Sequence, residues 1–231
     1  MSVTFIYGTG NPGKLWHMRE MMDGTDVFIA GPGEYGLDLP DVEESGSSPL
    51  ENARIKAAAY YGALKRPCFS CDSGLFIDGL ADAEQPGVNV RTINGKRLSD
   101  GEMIAHYSAI AAKLGGRTRA RYMNAVCLVI SEDTVIEHFG DDISTKAFIL
   151  TSVPHPKRME GFPIDCLSAD IETGRHYYDM ALSEDKKWSI TLGFRDFFRR
   201  AAETAEKLGF IDERTPERRR ENQETIIIPW Q

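Results

Sequence analysis

Residues 8 to 14, Gly8-Thr9-Gly10-Asn11-Pro12-Gly13-Lys14, bring together glycines, two neutral hydrogen-bonding side chains and a lysine. Such a stretch can hold a phosphate. Glycines let the backbone approach an oxyanion closely, and Lys14 adds a point charge. Thr9 and Asn11 can orient an oxygen or a sugar. Val3-Thr4-Phe5-Ile6-Tyr7 before the loop is β-branched and aromatic and reads as a buried strand. After it, Leu15, Met18, Met21 and Met22 recur at helical spacing, which predicts a helix from about Lys14. Backbone N–H groups at a helix start, with the positive end of the dipole, point at whatever occupies the turn. The expected occupant is the triphosphate of a nucleotide. Gly8 to Leu15 misses the P-loop pattern, because Leu15 stands where Ser or Thr would hold magnesium, and this argues against a P-loop NTPase. The plain alternative is a strand-to-helix turn whose glycines serve geometry alone.

Other candidate groups depend on elements further along the chain. Val27 to Ala30 is a short strand, followed by a loop rich in Gly, Pro, Asp and Glu from Gly31 to Gly46. Ser48-Pro49-Leu50-Glu51 opens a helix that runs to about Leu64, with Ser48 as N-cap and Glu51 closing a capping box. Leu50, Ala53, Ala57, Tyr61 and Leu64 form its expected buried stripe. Asn52 and Lys56 lie four apart on one face, and spacing alone makes Lys56 an ordinary solvated lysine. Pro67 to Cys71 reads as a strand, with Asp72-Ser73-Gly74 a tight turn before Leu75-Phe76-Ile77. An aspartate at the end of an apolar strand sits where open α/β sheets place ligand sites, although turns also favour Asp-Ser-Gly for local reasons.

Ser99 and Glu102 form a second capping box, for a helix ending at Gly115-Gly116 with Met103, Ile104, Tyr107, Ile110, Ala111 and Leu114 in the core. Arg119 to Ile130 is a long strand, followed by strands over Thr134 to Phe139 and Thr145 to Val153. Ser189 or Thr191 caps a last helix, with Phe194, Phe197, Phe198, Ala201, Ala205 and Leu208 on one face. Residues 1–211 read as a single α/β domain and 212–231 as a charged tail with an apolar end.

The chain has 231 residues, with Lys+Arg 27 against Asp+Glu 35, a net charge of −8. No basic surface advertises a nucleic acid polymer or an anionic membrane. A phosphate ligand must then be met by local positive charge and a divalent cation. No run approaches the roughly 18 to 20 apolar residues of a membrane span, and no signal peptide is expected at residues 1 to 15, so a cytoplasmic protein is expected. Cys68-Phe69-Ser70-Cys71 is formally C-x-x-C, but in a strand the two thiols face opposite sides, which argues against redox or metal chemistry.

Four features then stand in order: T-G-N-P-G-K at Thr9 to Lys14, E-E-S-G at Glu43 to Gly46, E-N-A-R-I-K at Glu51 to Lys56, and D-S-G-L at Asp72 to Leu75. This order resembles the inosine triphosphate pyrophosphatase family, whose pattern runs T-G-N-x-G-K, E-E-T-G, E-N-A-x-x-K-A, D-D-S-G-L and then a P-G turn, here Pro86-Gly87. The agreement covers residues 3 to about 91, and the strand from Arg119 to Val129 fits the family's A-R-F strand.

The resemblance implies an elongated mixed β-sheet with flanking helices, its two lobes set around a central nucleotide cleft. It implies a homodimer that hydrolyses a nucleoside triphosphate to monophosphate and pyrophosphate with Mg²⁺. Asp72 with Glu43 or Glu44 would supply the metal's carboxylates, and Asp72 would orient or activate water. Lys14 and Lys56 would offset phosphate charge. Thr9, Gly10, Asn11, Gly13 and Ser73 would hold phosphate oxygens. Phe162 and Asp165, in Phe162-Pro163-Ile164-Asp165, would match the family's base-reading F-G-Y-D, and Lys186 its later lysine. Departures are as clear. Cys71 replaces the first aspartate of D-D, and Ile190-Thr191-Leu192-Gly193 replaces S-H-R-G, so the purine-reading His-Arg pair is absent. A non-catalytic nucleotide-binding or regulatory protein that kept the phosphate loop is the competing expectation.

Overall fold

The computed structural model describes residues 2–36, 38, 40–159, 161–180 and 190–211. Its frame is a mixed seven-stranded sheet in the order β2-β1-β3-β6-β8-β9, with β7 paired to one half of β6. The strands are β1 (Val3–Tyr7), β2 (Val27–Ala30), β3 (Cys68–Ile77), β6 (Arg117–Ser131), β7 (Thr134–Phe139), β8 (Phe148–Thr151) and β9 (Ser168–Ala169), while β4 (Thr92–Ile93) and β5 (Lys96–Arg97) form a separate hairpin. Pairing of β1 with β2 and β3 is parallel, and the other contacts of the large sheet are antiparallel.

Among the described residues four helices flank the sheet: α1 (Pro12–Met22), α2 (Pro49–Leu64), α3 (Asp100–Lys113) and α4 (Thr191–Lys207). Side chains alternate across a strand, so β3 serves both faces. On one face Phe69 joins the core made by Met18, Met21 and Met22 of α1 and Phe194, Phe197 and Phe198 of α4. Further along that face, Leu75 and Ile77 join a second core with Met103, Tyr107 and Ala111 of α3. These two cores are the two lobes. On the opposite face, Ala53 and Ala57 of α2 pack on Ala125, Cys127 and Val129 of β6. Among the described residues no helix is long and apolar enough to cross a membrane.

Several sequence expectations need correction. No turn forms at Asp72-Ser73-Gly74: β3 runs unbroken because β6 pairs with it residue for residue from Cys68↔Val129 to Ile77↔Ala120. Ser48 does cap α2, accepting from the Glu51 N–H, but the Glu51 carboxylate turns to Ser47, taking its N–H and hydroxyl at 2.7 Å each. Tyr60 is buried at the position expected of Tyr61. The strand expected over Thr145 to Val153 is confined to Phe148–Thr151. Ile190 precedes α4 with no side-chain cap, so Thr191 is its first turn rather than its cap, and Leu208 is exposed. Ser189 and the tail 212–231 lie outside the described residues.

Candidate active site

Topology creates an opening at the edge of β3. β1 pairs with Cys68 and Phe69 and then ends, and the next contact on that edge is the bridge from Leu75 to Gly87. Between these points Asp72 and Ser73 lie on a stretch whose edge carries no strand among the described residues. The loop leaving β1 turns into this gap. Gly8 is required there, because a Cβ on it would lie 2.0 Å from Cδ2 of Tyr60.

The first turn of α1 is closed by Asn11, whose Oδ1 accepts from the N–H groups of Gly13 at 2.9 Å and Lys14 at 3.2 Å. Asn11 N–H in turn donates to Thr9 Oγ1 at 3.1 Å. The helix-start donors expected to meet a phosphate are thus already engaged. What the loop still presents is the Gly10 backbone, the Asn11 side-chain Nδ2 and the exposed Lys14.

Lys56 is the centre of the arrangement. It is not the solvated lysine that its spacing suggests: it is 8% exposed, and its Nζ donates to Asp72 Oδ1 at 3.1 Å and Glu44 Oε2 at 3.0 Å. Asp72 meets it because the register pairs Asp72 with Ala125, on the face that α2 covers. Glu44 meets it because the loop is tied to α2: Gly46 N–H donates to Asn52 Oδ1 at 2.8 Å, one turn before Lys56. A Cβ at Gly46 would come within 2.6 Å of that same oxygen. The loop therefore delivers Glu44, and not Glu43, to the ammonium. Burial alone would lower the Lys56 pKa, but Asp72 and Glu44 outweigh it and raise the value above its ordinary 10.5.

Cys71 faces the other way, toward α1. Burial pushes its thiol up to about 12, against the pull of Lys14, a hydrogen bond with Tyr7 and the charge of Lys56. It is a neutral thiol on the face of β3 opposite Asp72. Cys68 packs with Ile6, Tyr60 and Leu64 on the opposite face, so the C-x-x-C spacing brings no pair together. Ser73 lies on the Cys71 face, between the two lobe cores, and its hydroxyl donates to Asn124 Oδ1 at 2.7 Å.

Phe162 and Asp165 approach from the second lobe. The Phe162 ring tip comes within 3.5 Å of where a Cβ on Gly13 would stand, so the far lobe touches the phosphate loop. Asp165 sits on the short 3-10 helix Pro163–Leu167, and burial pushes its carboxyl up to about 6. Lys186 lies outside the described residues. In place of the absent His-Arg pair the chain has buried Thr191 and a largely exposed Leu192.

Among the described residues no three His, Cys, Asp or Glu side chains gather as a metal cage. Asp72 and Glu44 still fit Mg²⁺, which usually takes one or two carboxylates and completes its shell with phosphate oxygens and water. Both are hard oxygen donors held against one ammonium. Tyr60 and Asn124 escaped the sequence reading, and the role of Asn52 in tying the Glu44 loop to α2 escaped it too. Only Asn52 left a trace there, in its spacing of four from Lys56.

The profile of the Ham1 family matches residues 5–189. The dITP/XTP pyrophosphatase of Rhodopseudomonas palustris is 35% identical over 127 residues, covering 53% of this chain and 59% of that protein. A dITP/XTP pyrophosphatase of Thermus thermophilus is 29% identical over 184 residues, 80% of this chain and 84% of that protein. The match thus spans about three fifths of the first relative's length and most of the second's. A Ham1 protein from Coxiella burnetii superposes with a TM-score of 0.65 at 22% identity, covering 88% of this chain and 99% of its own. The Staphylococcus aureus Ham1 protein gives 0.63 at 20% identity, covering 86% and 99%. These two likenesses establish the shared fold.

Proposed function

Because the chain belongs to the Ham1 family, we propose that it is a nucleoside triphosphate pyrophosphatase that releases a monophosphate and pyrophosphate. The observation that carries this reading is Lys56, buried between Asp72 and Glu44 at the open edge of β3 beside the phosphate loop. A triphosphate lying along that edge has Lys14 and the Gly10 backbone on one side and Lys56 on the other. Charge developing on the cleaved phosphates is met by these two lysines, the contribution that dominates phosphoryl transfer. Asp72 takes the proton of the attacking water, and its bond to Lys56 fixes the carboxylate that does so. Asp72 and Glu44 would hold Mg²⁺, which when bound supplies charge neutralisation and a water of lowered pKa.

The relatives' names support a deaminated purine, dITP or XTP, as the preferred substrate. Phe162 offers an aromatic face to the base, and Asp165 offers an acceptor to the protonated ring nitrogen of a 6-oxo purine. The missing His-Arg pair supports a weaker preference than a site with those donors achieves, since buried hydrogen-bonding groups carry most of such discrimination. The same reading carries a homodimer in the cytoplasm, for which sedimentation and cell fractionation are the tests.

The experiment is pyrophosphate release from a panel of ordinary and deaminated triphosphates, with and without Mg²⁺, beside Asp72→Asn. Mg²⁺-dependent release that falls at least about 100-fold in the variant is expected for loss of a proton acceptor. A folded wild-type chain that binds triphosphates and releases no pyrophosphate would overturn the catalytic reading in favour of a nucleotide-binding protein.

A further inference from the structure

Phe162 reaches the phosphate loop from the residue after Gly161, whose backbone is bonded to a carboxylate of α3. Gly161 has φ +80°, a conformation that L side chains rarely adopt. Its N–H donates to Asp100 Oδ2 at 2.9 Å. The other oxygen, Asp100 Oδ1, accepts from Arg91 Nη1 at 2.7 Å, and Arg91 Nη1 also donates to the Leu98 carbonyl at 3.3 Å. Leu98 N–H returns to the Arg91 carbonyl at 2.8 Å, so the guanidinium is itself braced. Asp100 opens α3, at the helix end whose dipole favours a carboxylate, and α3 is anchored in the lobe core by Met103, Tyr107 and Ala111.

On the other side of the latch, Phe162 N–H donates to the Met159 carbonyl at 3.1 Å and Asp165 N–H to the Phe162 carbonyl at 3.2 Å. Phe162 thus leads directly into the 3-10 helix that carries Asp165. Hydrogen bonds to charged groups are among the stronger ones, and this one joins a rigid helix to the backbone of a single glycine.

We propose that Asp100, aimed by Arg91, is a positioning residue that pins Gly161 and thereby sets where Phe162 meets the phosphate loop. This rests on the pyrophosphatase reading of the cleft. Asp100 touches no substrate; its effect passes through the Gly161 backbone. Loosening it weakens binding of the base end of the nucleotide and leaves the chemistry at Asp72 unaffected. It therefore raises KM and spares kcat.

The test uses the full chain as wild type, Asp100→Ala, Asp100→Asn and Arg91→Gln. Hydrogen exchange at the Gly161 amide is followed without nucleotide, and pyrophosphate release gives kcat and KM. Asp100→Ala is expected to speed Gly161 exchange about tenfold and raise KM about tenfold, with kcat within about twofold, as for loss of one charge-assisted bond. Asp100→Asn keeps an oxygen for Gly161 and recovers most of both effects. Arg91→Gln leaves the carboxylate unaimed and falls between, which covers the case in which Asp100→Ala does not fold. Unchanged exchange in folded Asp100→Ala would overturn the latch. Faster exchange with unchanged KM would overturn its positioning role. Exchange needs no nucleotide, so a wild-type chain that hydrolyses nothing defeats the functional reading while the latch is still decided.

Discussion

Replacing Lys56 by methionine tests whether the site is held together as described. Its Nζ is 3.0 Å from Glu44 and 3.1 Å from Asp72, and Lys56 and Asp72 are each 8% exposed. At an effective dielectric of about 20, unit charges at this separation attract by roughly 5 kcal/mol, and desolvation of both ions offsets most of that. The Glu44 side chain is 48% exposed, so water screens its share, and the burden falls on Asp72. Lys56→Met leaves Asp72 buried without its partner. Breaking a fully buried pair costs about 3 to 5 kcal/mol, and the incomplete burial here reduces the expectation to about 2 to 4 kcal/mol. Asp72→Asn keeps the shape and leaves Lys56 with Glu44, so about 1 kcal/mol is expected. The double variant should fall short of the sum by about 1 to 2 kcal/mol, since neighbouring charges couple.

The assay for this cycle is urea unfolding at neutral pH without nucleotide or metal. The raised Lys56 pKa means that the folded chain binds this proton more tightly than the unfolded one. Its stabilisation is therefore complete below pH 10.5 and lost as pH rises through the folded value, so the gap between wild type and Lys56→Met should be level near neutrality and close only in strong alkali. A Lys56→Met chain within about 0.5 kcal/mol of wild type, or an additive double variant, would refute the reasoning.

Two further outcomes are expected. Gly8→Ala puts a Cβ 2.0 Å from the Tyr60 ring, so the loop or the ring must move; a loss of about 1 to 3 kcal/mol is expected, partly recovered by Tyr60→Ala, as read by thermal melting. Burial raises the Asp165 pKa from 3.8 to about 6, so the folded chain binds this proton more tightly and this residue's contribution to stability declines as pH rises from about 4 to 6. At 1.36 kcal/mol per pH unit this is at most about 3 kcal/mol, so Asp165→Asn should be more stable than wild type at pH 8 while its KM for a 6-oxo purine triphosphate rises; equal stability at pH 4 and pH 8 relative to wild type would contradict this.

Short-range signals carried much of this protein's fold. β1 and β2 stand where their β-branched and aromatic runs put them, α1 follows its helical spacing but starts two residues before Lys14, and the Ser99–Glu102 capping box opens α3 as expected. The corrections arise where a neighbour outvoted local chemistry. Asp72-Ser73-Gly74 has turn chemistry, yet β6 supplies a partner for each residue and keeps the strand straight. Glu51 has capping-box spacing, yet Ser47 offers two donors where the box offers one.

The functional residues divide in the same way. The amino-acid sequence by itself determined which groups exist and in what order: the loop ending at Lys14, the glutamate pair, Lys56 on its helix and Asp72 on its strand. Spacing within one element is a local property, and it was legible. Tertiary structure alone decided that Lys56 is buried rather than solvated, that Glu44 and not Glu43 reaches it, and that Cys71 turns away from Asp72 toward Tyr7. It also decided that Phe162 crosses to Gly13 and that Asp100 holds the segment before it. Each of these depends on the register of β3 against β6 or on a contact between residues far apart in the chain. A side chain's partner across such a gap is set by packing, which periodicity along the chain does not encode.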